Sequence, residues 1–139
     1  MGLDVGAARI GVAFSEGSLA LAHGVVESSE AAAQALATLA AEKGVTSIFV
    51  GLPLSLSGEK TKSSQLAIGF ARTLSSLTDI KISLVDERLT TVSAQRNLHQ
   101  AGKTSKQSKT LIDAESARGI LDFALSSPHV AIEIGDLDA

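Results

Sequence analysis

Cysteine is absent from this sequence, and so are tryptophan and tyrosine. The first absence removes disulfides, thiolate nucleophiles and every cysteine-ligated zinc site. The second leaves four phenylalanines as the only aromatics, 3% of 139 residues. Recognition of bases by stacking on aromatic platforms therefore has little to work with. The three histidines, His23, His99 and His129, show no metal-ligand spacing, so a hard, oxygen-ligated cation is the metal chemistry that remains. The N-terminus lacks the basic region and long apolar run of a signal peptide. No stretch is long and apolar enough to span a bilayer. The expectation is a cytoplasmic protein with no membrane partner.

Hydrophobic residues make up 45% of the chain, enough for one folded domain with a real core. That core must be built from Leu, Ile, Val and Ala. Net charge is −3, which does not advertise a nucleic-acid binder, but the charges are unevenly placed. From Arg88 to Ile112 there is no acidic residue, while Arg88, Arg96, Lys103, Lys106 and Lys109 all fall there. A local basic stretch matters more for phosphate binding than the total does. An ordinary solvated helix and loop has the same composition.

Residues 1–6 and 9–15 predict two strands joined by a tight Gly-Ala-Ala turn, and Leu19 to Glu27 a third with an irregularity at Gly24. Ser29 is placed to cap a helix running to Lys43, with Gly44 after its end. Thr46 to Val50 suits a central parallel strand buried on both faces. A second helix is expected from about Ser63, with Leu66, Phe70, Leu74 and Leu77 as its apolar stripe. Lys81 to Val85 is the next buried strand. Two helices follow, about Thr91 to Ala101 and Lys109 to Ser126, joined by the basic linker Gly102 to Ser108. Residues 127–139 read as a loose acidic tail. A hairpin followed by βαβαβ gives an α/β fold with a mixed sheet flanked by helices.

Three carboxylates stand out. Asp4 lies within an apolar strand, where an ionised group is costly unless a cation or hydrogen bonds hold it. If the strand stops at Leu3, Asp4 is merely a solvated turn residue. Asp86 and Glu87 directly follow a buried strand, and sites in open α/β sheets form at such exits. Successive side chains there point to opposite faces, so one of the two faces the sheet centre. Asp113 shares helical spacing with Ala117, Ile120 and Ala124, which turns it inward, whereas Glu115 goes with Arg118 and Asp122 on the solvent side. Stabilisation of Asp113 by the helix dipole alone is the plainer explanation. Three carboxylates sharing a pocket repel one another unless cations neutralise them. Mg²⁺ or Mn²⁺ does so, and two such ions can drive phosphodiester hydrolysis. The chain begins three residues before Asp4, so an α-amino group is expected close to that carboxylate.

Four segments carry a resemblance: LDVGAARIGVAFS in the hairpin, VGLPLSLSGE (Val50–Glu59), DERLTT (Asp86–Thr91) and DAESARGIL (Asp113–Leu121). In this order they resemble the signatures of the YqgF family, also called RuvX, whose members are known as Holliday junction resolvases or pre-16S rRNA nucleases. The resemblance implies an RNase H-like fold in a single domain, residues 1–139, with a five-stranded mixed sheet and helices on both sides. It implies a metal-dependent nuclease using Mg²⁺ or Mn²⁺. The family's acidic residues carry over to Asp4, Glu87 and Asp113 as metal-binding and catalytic groups. Arg88, Arg9 and Lys109 are then the candidate substrate contacts. Arg88 equally suits a surface ion pair with Asp86, and Thr90 or Thr91 the cap of a following helix.

The leading expectation is 5′-end processing of the small-subunit rRNA precursor, with a structured RNA as partner. Junction resolution, with branched DNA as partner, uses the same chemistry but needs a dimer. The expected state is a monomer or weak homodimer. The Asp-x-Gly hairpin also occurs in actin-like and sugar-kinase ATPases, but those need two such domains. A ribosome-associated module without activity completes the alternatives.

Overall fold

The opening hairpin forms as its pattern predicts: β1 (Gly2–Val5) and β2 (Arg9–Glu16) pair antiparallel. The computed structural model describes residues 1–90 and 106–137. The turn between the strands is closed by the Gly6 amide donating to the Arg9 carbonyl at 2.9 Å. β3 (Leu19–Glu27) pairs antiparallel with β2, and the register shifts between Val12 and Ala13, so His23 is bulged out beside Gly24.

Helix α1 (Ala32–Glu42) carries the chain back to β4 (Ser47–Leu52), which lies parallel to β1. Gly44 ends α1 at φ +66°, with its amide on Ala41 and that of Val45 on Ala40. This Schellman arrangement is one that glycine adopts without strain. Ser29 does not cap α1 with its side chain; its carbonyl accepts the Ala32 amide instead, and Ala31 takes the cap position. α2 (Lys62–Ser75) returns the chain to β5 (Lys81–Asp86), again parallel. Thr61 and Ser64 form a reciprocal capping box at its start, and the Ser64 hydroxyl also donates to the Pro53 carbonyl. A single 3₁₀ turn, Glu87–Leu89, follows β5. The last long helix, α3, spans Lys106–Ser126. The expected helix over Thr91 to Ala101 and most of the basic linker lie outside the described residues.

The sheet has the order β3-β2-β1-β4-β5-β6, six strands rather than five. β6 is the pair Ile132–Glu133, antiparallel to Leu84 and Ser83 of β5. Two residues are too few to show a strand period, so sequence pattern alone could not reveal it. The tail is correspondingly docked rather than loose over residues 128–137. Ile134 and Leu137 pack against the main core, and Lys81 meets Glu133 at 3.3 Å.

One face of the sheet, with Leu3, Ile10, Val12, Val50 and Leu84, is covered by α1 and α2. The buried residues of α2 are Ser64, Ala67, Ile68, Ala71 and Leu74, while Leu66 and Leu77 are exposed. The helix presents its small Ala67 and Ala71 to the sheet, which brings the backbones close. Of the expected stripe, Leu74 is fully buried and Phe70 packs against the main core, while Leu66 and Leu77 lie on the flank. Among the described residues, α3 covers the other face, on Ala13, Phe49 and Val85. Each fully buried Leu or Ile contributes about 1.5–3 kcal/mol of transfer free energy.

Candidate functional site

The position of α3 is set by glycines. A Cβ on Gly2 would lie 2.7 Å from the Leu121 Cβ, and one on Gly51 2.4 Å from the Ile120 Cδ1. One on Gly11 would lie 2.0 Å from the Asp113 carbonyl oxygen. Strands β1, β2 and β4 thus each contribute a bare position, and α3 rests on all three. Any larger residue would lift the helix off the sheet.

Asp4 sits between two of these glycines. Gly11 is its direct partner in the antiparallel pair with β2. On the other side Leu3 pairs with Val50, and continuing that parallel register sets Asp4 level with Gly51. Residues opposed in this way project to the same face. Asp4 therefore points to the α3 side, half-buried, and belongs to the strand rather than to the turn. Asp113 lies over Gly11, next to it. Its inward orientation follows the helical spacing, since Ala117, Ile120 and Ala124 are fully buried. Glu115 is exposed and pairs with Arg118 at 3.0 Å.

The strand exit at β5 sorts its two acids by parity. Val85 faces α3, and Glu87, two residues on, is buried with 3% exposure. A Cβ on Gly51 would stand 3.2 Å from the Glu87 Cγ, so Glu87 fills the space that Gly51 leaves open. Asp86 turns the other way. Arg88 donates to it from Nε and from a terminal nitrogen, the latter at 2.7 Å, and donates from a terminal nitrogen to the Leu56 carbonyl at 3.4 Å. The Arg88 guanidinium holds the Asp86 carboxyl below its ordinary value of 3.8, and partial burial opposes this. Of the two readings for Arg88, the ion pair with Asp86 is thus formed. The Thr90 hydroxyl closes the 3₁₀ turn by donating to the Glu87 carbonyl at 2.8 Å.

Arg9 opens β2, and its Nε donates to Asp113 Oδ2 at 2.6 Å across 104 residues of chain. Lys109 is exposed one turn before Asp113 on α3. The Met1 nitrogen is not beside Asp4; it donates to the Ser47 carbonyl at 2.9 Å, at the other end of β1. Among the described residues, no three His, Asp or Glu side chains stand close enough together to hold a metal ion. What the fold brings to one face is Asp4 and Asp113 across Gly11, and Glu87 across Gly51. A cleft of about 660 Å³ opens at the opposite end of the sheet, between Phe14, His23, Lys43 and Leu121. It touches none of the candidate acids.

The glycine track that seats α3 is absent from the sequence expectations. The signal was present: glycine recurs in three strands that otherwise read as buried apolar runs, where it weakens a strand unless another backbone must come close.

A family model described as "RuvX: Holliday junction resolvase" matches residues 1–127. A protein of Clavibacter sepedonicus named "Putative pre-16S rRNA nuclease" is 42% identical over 141 residues, covering 94% of this chain and 84% of that protein. A protein of the same name from Mycobacterium tuberculosis is 43% identical over 137 residues, covering 95% and 81%. Among solved structures, Thermus thermophilus RuvC in complex with a Holliday junction superposes with a TM-score of 0.56 at 13% identity, covering 95% of this chain and 96% of that one. At that identity the likeness speaks for the fold, which is RNase H-like. The match over residues 1–127, together with relatives above 40% identity along nearly the whole chain, shows that this protein belongs to the RuvX family.

Proposed function

We infer that this chain is a metal-dependent nuclease that hydrolyses phosphodiester bonds, acting at the 5′ end of the small-subunit rRNA precursor. One observation carries the reading. Asp4, on a central strand, is flanked by two glycines that seat Asp113 on one side and make room for the buried Glu87 on the other. Family membership and the names of the relatives support it.

The donors fit a hard divalent ion. All are carboxylate oxygens on one face of the sheet, the donor type such an ion takes, and the three side chains would have to draw together to hold it. Asp4, Glu87 and Asp113 would hold Mg²⁺ or Mn²⁺, which supplies an activated water and neutralises charge on the phosphate. The protein's own contribution is alignment. The glycine contacts fix α3 and hence Asp113, and the 3₁₀ turn fixes Glu87. Arg9, Arg88 and Lys109 bring positive charge toward the phosphate backbone, which supplies most of the affinity for nucleic acid.

The test is Mn²⁺-dependent cleavage of a precursor rRNA beside a four-way DNA junction. Asp4→Asn, Glu87→Gln and Asp113→Asn should each lose cleavage while keeping the wild-type melting temperature. Retained cleavage in all three sinks the mechanism. Cutting of the junction but not the RNA would move the substrate to branched DNA, the reading favoured by the likeness to RuvC on a junction.

A further inference from the structure

Arg9 stands out because its partner is one of the three candidate metal ligands. Its Nε meets Asp113 Oδ2 at 2.6 Å, and the two side chains keep 30% and 21% of their exposure. The contact links the start of β2 to the first half of α3, so it is a tertiary feature rather than a local helix pair. Arg88 behaves differently, being held by Asp86, which lies outside the trio.

A guanidinium and a divalent cation are alternative neutralisers of the same oxygen. A divalent cation bound at Asp113 would compete with the Arg9 guanidinium for Oδ2, because two cations that close repel each other and each weakens the other's hold on the carboxylate. The Asp113 backbone is pinned over Gly11 and cannot retreat. Arg9 can, because its backbone is fixed in β2 opposite Glu27 while its long side chain reaches solvent. When it leaves Asp113 its fork is free for the phosphate, a group it matches in a bidentate way.

We propose that Arg9 is the resting counter-ion of Asp113, displaced from Oδ2 when a divalent cation binds and thereby released to the substrate phosphate. This rests on the metal reading given above. It makes Arg9 a positioning residue before cleavage and a phosphate contact during it.

The experiment is a Mg²⁺ titration of protein carrying ¹⁵N-labelled arginine, followed at the Arg9 Nε–H resonance and assigned with Arg9→Gln. Calorimetry with Mn²⁺ on the wild type, Arg9→Gln and Asp113→Asn runs beside it. The Nε–H signal should shift and lose its exchange protection in step with Mg²⁺ saturation. Arg9→Gln should bind Mn²⁺ tighter by on the order of tenfold, the usual size of a coupling between competing interactions. Its KM for nucleic acid should rise. Mg²⁺ saturation, seen in backbone amide shifts, with an unmoved Arg9 Nε–H overturns the proposal alone, as does Mn²⁺ affinity that Arg9→Gln leaves unchanged. Absence of Mg²⁺ and Mn²⁺ binding to the wild type overturns the metal reading and this proposal together.

Discussion

Gly11→Ala tests whether α3 is positioned as described. A Cβ at Gly11 falls 2.0 Å from the Asp113 carbonyl oxygen and 2.6 Å from its carbon. Both are backbone atoms, so no side-chain rotation relieves the clash. Reaching the 3.4 Å of an ordinary contact requires the helix and strand to part by about 1.4 Å. Overpacking of this kind costs ~1–3 kcal/mol. For a chain of this length that corresponds to a melting temperature lower by roughly 3–10 °C. The effect on cleavage should be larger in proportion. Misplacing a catalytic group by about 1 Å costs on the order of 100-fold in rate, and this shift acts on Asp113 relative to Asp4. The assay is Mn²⁺-dependent cleavage measured well below the melting temperature, where the variant is folded, beside a thermal melt. The expected result is a fold that survives with activity largely lost. A variant indistinguishable from wild type in both would refute the glycine-track argument. Loss of stability with full activity in the folded fraction would show that Asp113 is not part of the machinery.

Further outcomes follow from local features. Gly69 lies on α2, exposed and with open space around it, so Gly69→Ala should raise stability by about 0.5–1 kcal/mol in a denaturant melt. Thr61→Ala removes one half of the α2 capping box, and should cost about 0.5–2 kcal/mol by the same measurement. The Asp86 carboxyl is held below its ordinary value of 3.8 chiefly by its hydrogen bonds from Arg88. The unfolded chain therefore takes up the proton first as pH falls. The stabilisation is complete above that ordinary value and is lost as pH drops through the lower folded value. Melting temperatures followed downward from pH 5 should show this loss in the wild type and a shallower one in Asp86→Asn.

The sequence reached the three acids by different routes of unequal strength. Asp113 was decided by helical spacing, because Ala117, Ile120 and Ala124 leave one face for it, and they are fully buried. Asp86 and Glu87 could not be separated from sequence. Parity places them on opposite faces, but which face holds the site depends on where α3 packs, a tertiary fact. Strand β6 is illegible for its length, and the α2 stripe is half right, since Leu74 is fully buried while Leu66 and Leu77 are exposed. Small residues share that contact face with large ones, Ala67 and Ala71 being as fully buried as Leu74.

Looking for bulk also hides the glycines. Gly2, Gly11 and Gly51 look like weak points in their strands, since each gives up side-chain packing and backbone entropy. Their value lies in what they allow α3 to do. A side chain at any one would tilt the helix; at Gly11 it would strike the backbone of Asp113 itself. Asp4 needs no such help, because its strand is central and its partners fix it. The acid that arrives from more than a hundred residues away needs a seat, and Gly11, directly opposite Asp4, is that seat. Asp4 and Gly11 therefore form one structural unit, strand partners with the Asp113 backbone resting on the glycine. The acid without the glycine would lack a neighbour, and the glycine without the acid would be a defect in the strand. That is why an Asp-x-Gly hairpin alone says little about chemistry, and why the same hairpin with an inward Asp113 resting on it says much more.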